Sequence, residues 1–364
     1  LKHIYFTVTN DLSYDQRMHR ICHSLATNGF KVTLVGRRLK TSIPLQEKTF
    51  EQKRLNCFFN KGFLFYSEYN LRLFFYLLGK QMDAICAIDL DTILAALFTS
   101  RLKSIPRIYD AHEYFTELKE VRTRPRVKWF WSKVEGYSVP RFKHGYTVSE
   151  GLAREFKSRY GREYAVVRNL PVLTPLKHEP APKKYLFYGG AVNEARGLEY
   201  LIPAMREVNY KLVVVGDGNF MEQLRVLIQE NGVQDKVELK GMLPPVELRQ
   251  YAEQATLGIA LAEKEGINQY HALPNKFLDY IHAALPQVAM NYPEYIKINS
   301  VYKVAVLVSE LSVVSIANTI NETIGNDVLL SKMRQNCFVA RGQFNWQEEE
   351  KKLINFYHNL FNRE

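Results

Sequence analysis

Cysteine is scarce in this chain, and long apolar runs are missing. The four cysteines, Cys22, Cys57, Cys86 and Cys337, stand far apart and form no CxxC pair. That spacing argues against a zinc or redox motif and suits a reducing compartment, with buried thiols rather than disulfides. The most apolar stretch, Leu71 to Gly79, is interrupted by Arg72 and falls far short of the roughly 20 residues that span a bilayer. Leu1 to Val8 reads as a strand with no basic and apolar leader pattern ahead of it, so no secretory signal is expected. Low-complexity tracts and short-period repeats are also missing. What the chain has in excess is positive charge. Its 49 Lys and Arg against 38 Asp and Glu give a formal net charge of +11, which favours an anionic partner such as a nucleotide, a nucleic acid or an anionic membrane surface.

At 364 residues the chain exceeds the usual single-domain size, so two domains are expected. Short β-rich runs alternate with helical segments from Ile4–Val8 through Lys31–Gly36, Ala84–Ile88 and Arg107–Asp110. The same alternation restarts at Tyr185 and continues through Lys211–Val215, Lys236–Lys240, Leu257–Ala260, Gln287–Met290 and Ala305–Leu307. Parallel neighbours need crossover connections, so this pattern predicts an α/β fold of two tandem Rossmann-like parallel-sheet domains. Prolines concentrate in Asn169–Pro175 and Glu179–Lys184, where they can extend neither a helix nor a central strand. The boundaries expected are a first domain over 1–172, a linker over 173–184 and a second domain over 185–343. The segment Trp346 to Phe361 spaces Leu353, Phe356, Tyr357, Leu360 and Phe361 as an amphipathic terminal helix.

In open α/β sheets ligands sit outside the carboxyl ends of strands. After Tyr185–Tyr188 come Gly189 and Gly190, then Arg196-Gly197 at a helix start. Bare backbone, a helix N-terminus and a guanidinium fork together suit a diphosphate, although a plain strand-to-helix turn with an exposed arginine would read the same way. Gly216-Asp217-Gly218 is not a dinucleotide fingerprint, because Met221 occupies the third glycine's place, and a structural turn explains it. Asp110-Ala111-His112-Glu113 follows another strand, as do Asn10, Asp11 and Ser13. His112 reads either as an interior histidine or as a site residue. Pro274-Asn275-Lys276 opens a helix carrying Asp279, which is either a solvated carboxylate or an acceptor for a vicinal diol, with Lys276 a second cation for phosphate. Asp89-Leu90-Asp91 has the spacing of a metal-binding pair but reads better as a strand-end and helix-capping pair.

In order along the chain, several of these segments resemble the retaining, nucleotide-sugar-dependent glycosyltransferases of family 4, also called glycosyl transferase group 1. The residues that carry the likeness are Ser13–Met18, Asp89–Thr92, Tyr109–Glu113, Arg168–Pro171, Gly189-Gly190 with Arg196-Gly197, Gly216–Gly218, and Ala272–Tyr280 leading to Ala284–Pro286. The resemblance implies the GT-B fold, two Rossmann-like domains facing across a cleft, with the terminal helix over 344–364 returning to the first domain. It also implies a UDP- or GDP-sugar donor on the second domain and no cofactor. Arg196, His112 and Glu113 would be catalytic, Arg196 holding the diphosphate and His112 the transferred sugar. Gly189, Gly190, Asn10, Asp217, His271, Pro274, Asn275, Lys276 and Asp279 would bind donor, with Asp279 on the ribose. Two positions depart from the family. Where it often has Glu, seven residues, Glu, this chain has His271 and Asp279, and Ala191 replaces a frequent arginine after the glycine loop.

The reaction expected is glycosyl transfer with retention and without a metal ion, in cell-envelope polysaccharide or glycoconjugate synthesis. Between Lys119 and His144, eight Lys and Arg side chains interleave with Trp129, Phe130 and Trp131. This pattern suits either a solvated helix face over a buried aromatic stripe or an anionic membrane interface carrying a glycan or lipid-linked acceptor. The corresponding location is cytoplasmic, peripheral on the inner membrane. A nucleotide-sugar epimerase of the same fold and a non-catalytic sugar-nucleotide-binding protein are the alternatives. Nucleic-acid binding has only net charge in its favour and is not expected.

Overall fold

The structure, a computed structural model, describes residues 1–13, 15–176, 183–264, 266–271 and 273–362. It divides into two compact units. One comprises Leu1–Asn169, Gly266–Asn268 and the chain from Glu349 onward; the other comprises Leu170–Glu265 and Gln269–Glu348.

The first unit is built on β1 (Lys2–Thr7), β2 (Phe30–Arg38), β3 (Glu51–Asn56), β4 (Ala84–Ile88), β5 (Arg107–Ala111), β6 (His144–Thr147) and β7 (Ala165–Val166). They form one sheet in the order β3-β2-β1-β4-β5-β6-β7, with every pair parallel. Helices cover both faces, so a central strand such as β4 is apolar and buried throughout, without alternation. Edge strand β3 reads Glu-Gln-Lys-Arg-Leu-Asn and is largely exposed, which explains why no strand is expected there from sequence. Strands β6 and β7 are likewise additions to the expected set, too short to carry a periodic signal. The helix Gln16–Thr27 starts where the Asp15 carboxylate accepts the Met18 N–H at 2.9 Å. Its first turn is locked to the end of β5 by Arg17, which donates to both carboxylate oxygens of Asp110 at 2.5 and 2.8 Å. Both side chains are buried, so the pair ties this helix to β5. The terminal helix runs Trp346–Asn362 and buries Leu353, Tyr357 and Leu360.

The second unit contains β8 (Tyr185–Gly189), β9 (Lys211–Val215), β10 (Val237–Gly241), β11 (Leu257–Ala260), β12 (Gln287–Met290) and β13 (Ala305–Val308). Their order is β10-β9-β8-β11-β12-β13, again all parallel. Of the proline-rich linker, Thr174 is held by Arg249 and Arg341, and Leu173 exchanges hydrogen bonds with the Gln347 side chain. The prolines at 180 and 182 lie outside the described residues. Each sheet reverses its winding once, between β1 and β4 in the first unit and between β8 and β11 in the second. Loops leaving the carboxyl ends of those strands are where the topology opens a ligand crevice.

Candidate functional site

In the second unit the loops after β8 and β11 are fastened to each other. The Glu263 N–H donates to the Ala195 carbonyl at 3.0 Å, and Gly197, at φ +78°, leaves no room for a Cβ, which would lie 2.6 Å from Leu261 Cβ. Ala195 is itself left-handed at φ +62°, and its N–H is held by Glu199 Oε1 at 2.9 Å. Arg196 therefore sits between two left-handed residues, on a turn whose backbone is set by its neighbours. The helix that follows, Leu198–Ala204, has only seven residues, so little macrodipole stands behind this turn.

The glycines differ from the sequence expectation. The Gly189 N–H donates to the Tyr280 hydroxyl at 3.0 Å and the Gly190 N–H to the Val215 carbonyl at 2.9 Å, so neither amide is turned towards an incoming anion. Their purpose is close packing. A Cβ on Gly216 would lie 1.8 Å from the Gly190 carbonyl oxygen, and one on Gly218 would lie 2.2 Å from the Val192 carbonyl oxygen. Gly216-Asp217-Gly218 is thus the structural turn expected of it, pressing the loop after β9 onto the loop after β8. The exposed Asp217 carboxylate accepts the N–H of Gly218 at 2.8 Å.

Two cations, Arg196 and Lys276, come close together at this end of the sheet. Lys276 lies in the first turn of the helix Asn275–His282. Its Nζ sits 3.1 Å from the centroid of the Tyr188 ring, and its Cε is 3.7 Å from where a Gly190 Cβ would stand. Burial and the neighbouring Arg196 charge push the Lys276 pKa well below its ordinary value. A helix N-terminus opposes a cation there too. The π-face of Tyr188 favours it. Neither Arg196 nor Lys276 forms an ion pair with a described carboxylate. On the same helix Phe277, Leu278, Tyr280 and Ile281 face the core, while Asn275 and Asp279, four residues apart, share its exposed side. Pro274 caps that helix, and His271, half-buried, ends the short preceding one with its ring centroid 5.0 Å from that of Tyr270.

Tyr280 is a residue whose role the sequence reading did not find. Buried under the switch point, its hydroxyl meets the Gly189 N–H and the carbonyls of Phe187 and Ile259, joining β8 to β11 where their ladder stops. Gly258 makes this possible, since a Cβ there would lie 2.6 Å from the Tyr280 ring. A lone glycine within a strand was the available signal.

In the first unit, β4 is followed by Asp89, a non-glycine residue at φ +52°. Its side chain does not cap the short helical turn Leu90–Thr92, contrary to the sequence reading of Asp89 and Asp91 as a capping pair. Instead Asp89 Oδ1 accepts the N–H of His112 at 3.2 Å and of Glu113 at 3.4 Å, and Oδ2 lies 2.5 Å from His112 Nδ1. Burial opposes the imidazolium, but the Asp89 charge and hydrogen bond outweigh it, with help from Glu113, and raise the His112 pKa to about 9. Nδ1 thus faces the Asp89 carboxylate, and Nε2 is the ring's other nitrogen. Asp91, bonded to the Thr9 hydroxyl, is pushed up to about 7 by burial and by the charge of Asp89. Asn10, at the end of β1, is exposed, and its amide donates to the Asp15 carboxylate at 2.5 Å.

Comparisons with known proteins follow the same two halves. Residues 176–338 match the family model described as glycosyl transferases group 1, and residues 16–170 match that of glycosyltransferase family 4. No curated protein matches the chain in sequence. Sucrose-phosphate synthase from Thermosynechococcus elongatus is similar in structure with a TM-score of 0.82 at 14% identity, covering 100% of both chains. Anabaena HepE, solved with UDP and glucose, gives 0.77 at 13% identity over 99% of this chain and 100% of its own. A variant of S. aureus TarM, in complex with Fondaparinux, α-GlcNAc-glycerol and UDP, gives 0.71 at 11% identity over 100% of each chain. Identities this low speak for the fold, two parallel-sheet units of the GT-B type, while the two family matches speak for the sequence. The protein belongs to the group 1, family 4 glycosyltransferases.

Proposed function

We propose that this glycosyltransferase takes a UDP- or GDP-sugar and passes the sugar, with retention at the anomeric carbon and without a metal ion, to a glycan or lipid-linked acceptor of the cell envelope. The observation that carries this reading is the pairing of Arg196 with Lys276 beside Gly190, two cations of which neither forms an ion pair with a described carboxylate. Holding like charges together in a half-buried place is unfavourable unless an anion of comparable charge joins them, and a diphosphate meets that need. The UDP seen with HepE and with TarM supports the same choice.

In the reaction the bond from the anomeric carbon to the diphosphate oxygen breaks and a bond to the acceptor oxygen forms. The acceptor's proton leaves with the diphosphate. The barrier is departure of that leaving group from an oxocarbenium-like centre, so donors aimed at the developing phosphate charge contribute most. Arg196 and Lys276 supply the charge that a divalent cation would otherwise bring. Asp279, with Asn275 on the same exposed helix face, takes the ribose. Gly189, Gly190, Asp217, Pro274 and His271 shape the donor's surroundings. His112, kept as an imidazolium by Asp89 and flanked by Glu113, donates from Nε2 to a hydroxyl of the transferred sugar.

A screen of UDP- and GDP-sugars for thermal stabilisation identifies the donor, since a ligand that binds only the folded form raises its apparent stability. With that donor, Arg196→Ala is expected to lower turnover by roughly two to three orders of magnitude. Turnover in steady state close to that of the unaltered enzyme would remove Arg196 from the site, and loss of turnover on adding a chelator would remove the metal-free mechanism.

A further inference from the structure

Helix Gly62–Leu78 of the first unit shows a face that an ordinary surface helix hides. Phe65, Tyr69, Leu73 and Leu77 point into the core, yet on the outer side Phe63, Leu64, Leu71 and Phe75 are 57–63% exposed. Phe63, Leu71 and Phe75 lie at positions of one helical stripe, since residues four and eight apart stand above one another. Single exposed apolar side chains mean little, but a stripe of them marks a surface that meets something. The stripe continues onto the helix Pro125–Ser138, because the Phe63 and Phe130 rings meet edge to face at 5.3 Å. Of the aromatic trio on that helix, Trp131 is buried against Phe115 and Tyr66, and it is Trp129, 65% exposed, that faces solvent.

The charges around this face select its occupant. Arg72 lies on the outer side of helix 62–78, where Glu68 partly neutralises it at 2.7 Å. Exposed Lys61 and Lys80 flank the two ends of that helix, and Arg124, Arg126 and Lys133 stand out from helix 125–138 and its start. A second copy of this chain, docking by the same face, would set these cations against each other. No described helix is long and apolar enough to cross a membrane. We propose that this face lies on an anionic lipid surface, with Phe63, Leu64, Leu71, Phe75 and Trp129 in the headgroup and upper acyl region and the cations on lipid phosphates. The site of contact is thus centred on helix 62–78, whose apolar run is too short to span, and is shared with the basic segment. It stands independently of the donor assignment.

The test is co-sedimentation of the full chain with vesicles of phosphatidylcholine alone or mixed with phosphatidylglycerol, at low and high salt. The unaltered chain should bind the mixed vesicles, lose binding as salt rises, and ignore phosphatidylcholine. Leu71→Gln with Phe75→Gln should weaken binding by about tenfold or more while leaving the melting temperature and UDP-sugar stabilisation unchanged, which separates loss of the surface from loss of the fold. Tryptophan emission should shift to the blue on binding, and Trp129→Phe should abolish that shift, since Trp131 and Trp346 are buried. No binding to anionic vesicles at low salt, equal binding by the double variant, or a dimer in solution that the double variant dissolves would each overturn the proposal.

Discussion

Replacing Gly216 by alanine probes the packing on which the candidate donor site rests. Gly216 has φ +147°, and its Cβ would stand 1.8 Å from the Gly190 carbonyl oxygen and 2.8 Å from the carbonyl carbon. Carbon-to-oxygen contacts settle at roughly 3.3–3.6 Å, so the loops after β8 and β9 would have to part by roughly 1.5 Å. Backbone strain at such a φ adds about 1–3 kcal/mol. The atom struck is main chain on both sides, so no side chain can swing away. Gly232 supplies the control: it is left-handed at φ +65°, but a Cβ there meets nothing within 4 Å. Gly232→Ala should therefore cost only the left-handed penalty, about 1 kcal/mol, whereas Gly216→Ala should cost at least about 3 kcal/mol. Parting the loops also displaces Gly190, which lies against Lys276, so donor affinity should fall by about tenfold or more, a change of about 1.4 kcal/mol. Urea unfolding gives the stabilities, and calorimetry with the donor gives the affinities. If Gly216→Ala is no more destabilising than Gly232→Ala, the two loops do not pack as described.

Two further outcomes follow from the titrating groups. Because the folded chain holds the Lys276 pKa below its ordinary value, the unfolded chain binds more protons in the interval between the two, and this group makes stability rise with pH there. Lys276→Met should lose that slope, raise the melting temperature at neutral pH by about 2–4 °C for a gain of about 1 kcal/mol, and abolish donor binding; a variant that melts lower and binds donor normally would contradict the site. His112 behaves in the opposite sense: its folded pKa of about 9 lies above the ordinary 6.5, so its contribution to stability is full below 6.5 and lost as pH rises through 9. Asp89→Asn should leave burial opposed chiefly by Glu113 and drop the His112 pKa well below its value in the unaltered chain. NMR of labelled histidine, with His112→Gln for assignment, reads the shift directly, and the alkaline limb of kcat/KM should move with it.

Much of this was legible in the sequence, and what was not has a common cause. Strand alternation showed the two parallel sheets because buried parallel strands are apolar runs. The polar edge strand β3 escaped because an edge needs little burial. Arg196 and Lys276, 80 positions apart, were both expected on the diphosphate from their motifs, whereas the Tyr188 ring beneath Lys276 has no local signal. Asp89 was read as a helix cap because its local spacing fits one; its partners, the N–H groups of His112 and Glu113, come from the loop after a neighbouring strand. The glycines at 189 and 190 were assigned amides for an anion because glycine next to a strand end permits that, whereas here the amides serve Tyr280 and Val215. In each case the misreading was local and the deciding contact came from a distant segment.

The two sheets wind alike, and that likeness isolates what sequence adds to fold. At the switch point of the first unit, between β1 and β4, the loops bring together Asp89, Asp91 and the imidazolium of His112, a group in which protein charges answer one another. At the corresponding place in the second unit, between β8 and β11, the loops bring Arg196 and Lys276 together with aromatic rings and tight glycines, and neither cation forms an ion pair with a described carboxylate. Topology provides the place in both cases. The charge balance differs: one carries a carboxylate-paired histidine, the other two cations brought close, which is the basis for proposing an anion there. A lysine at a helix N-terminus, half-buried beside an arginine, runs against burial, charge repulsion and helix dipole together, so stability alone does not explain its presence, and a phosphate-bearing ligand reverses the first two penalties and is itself favoured by the third.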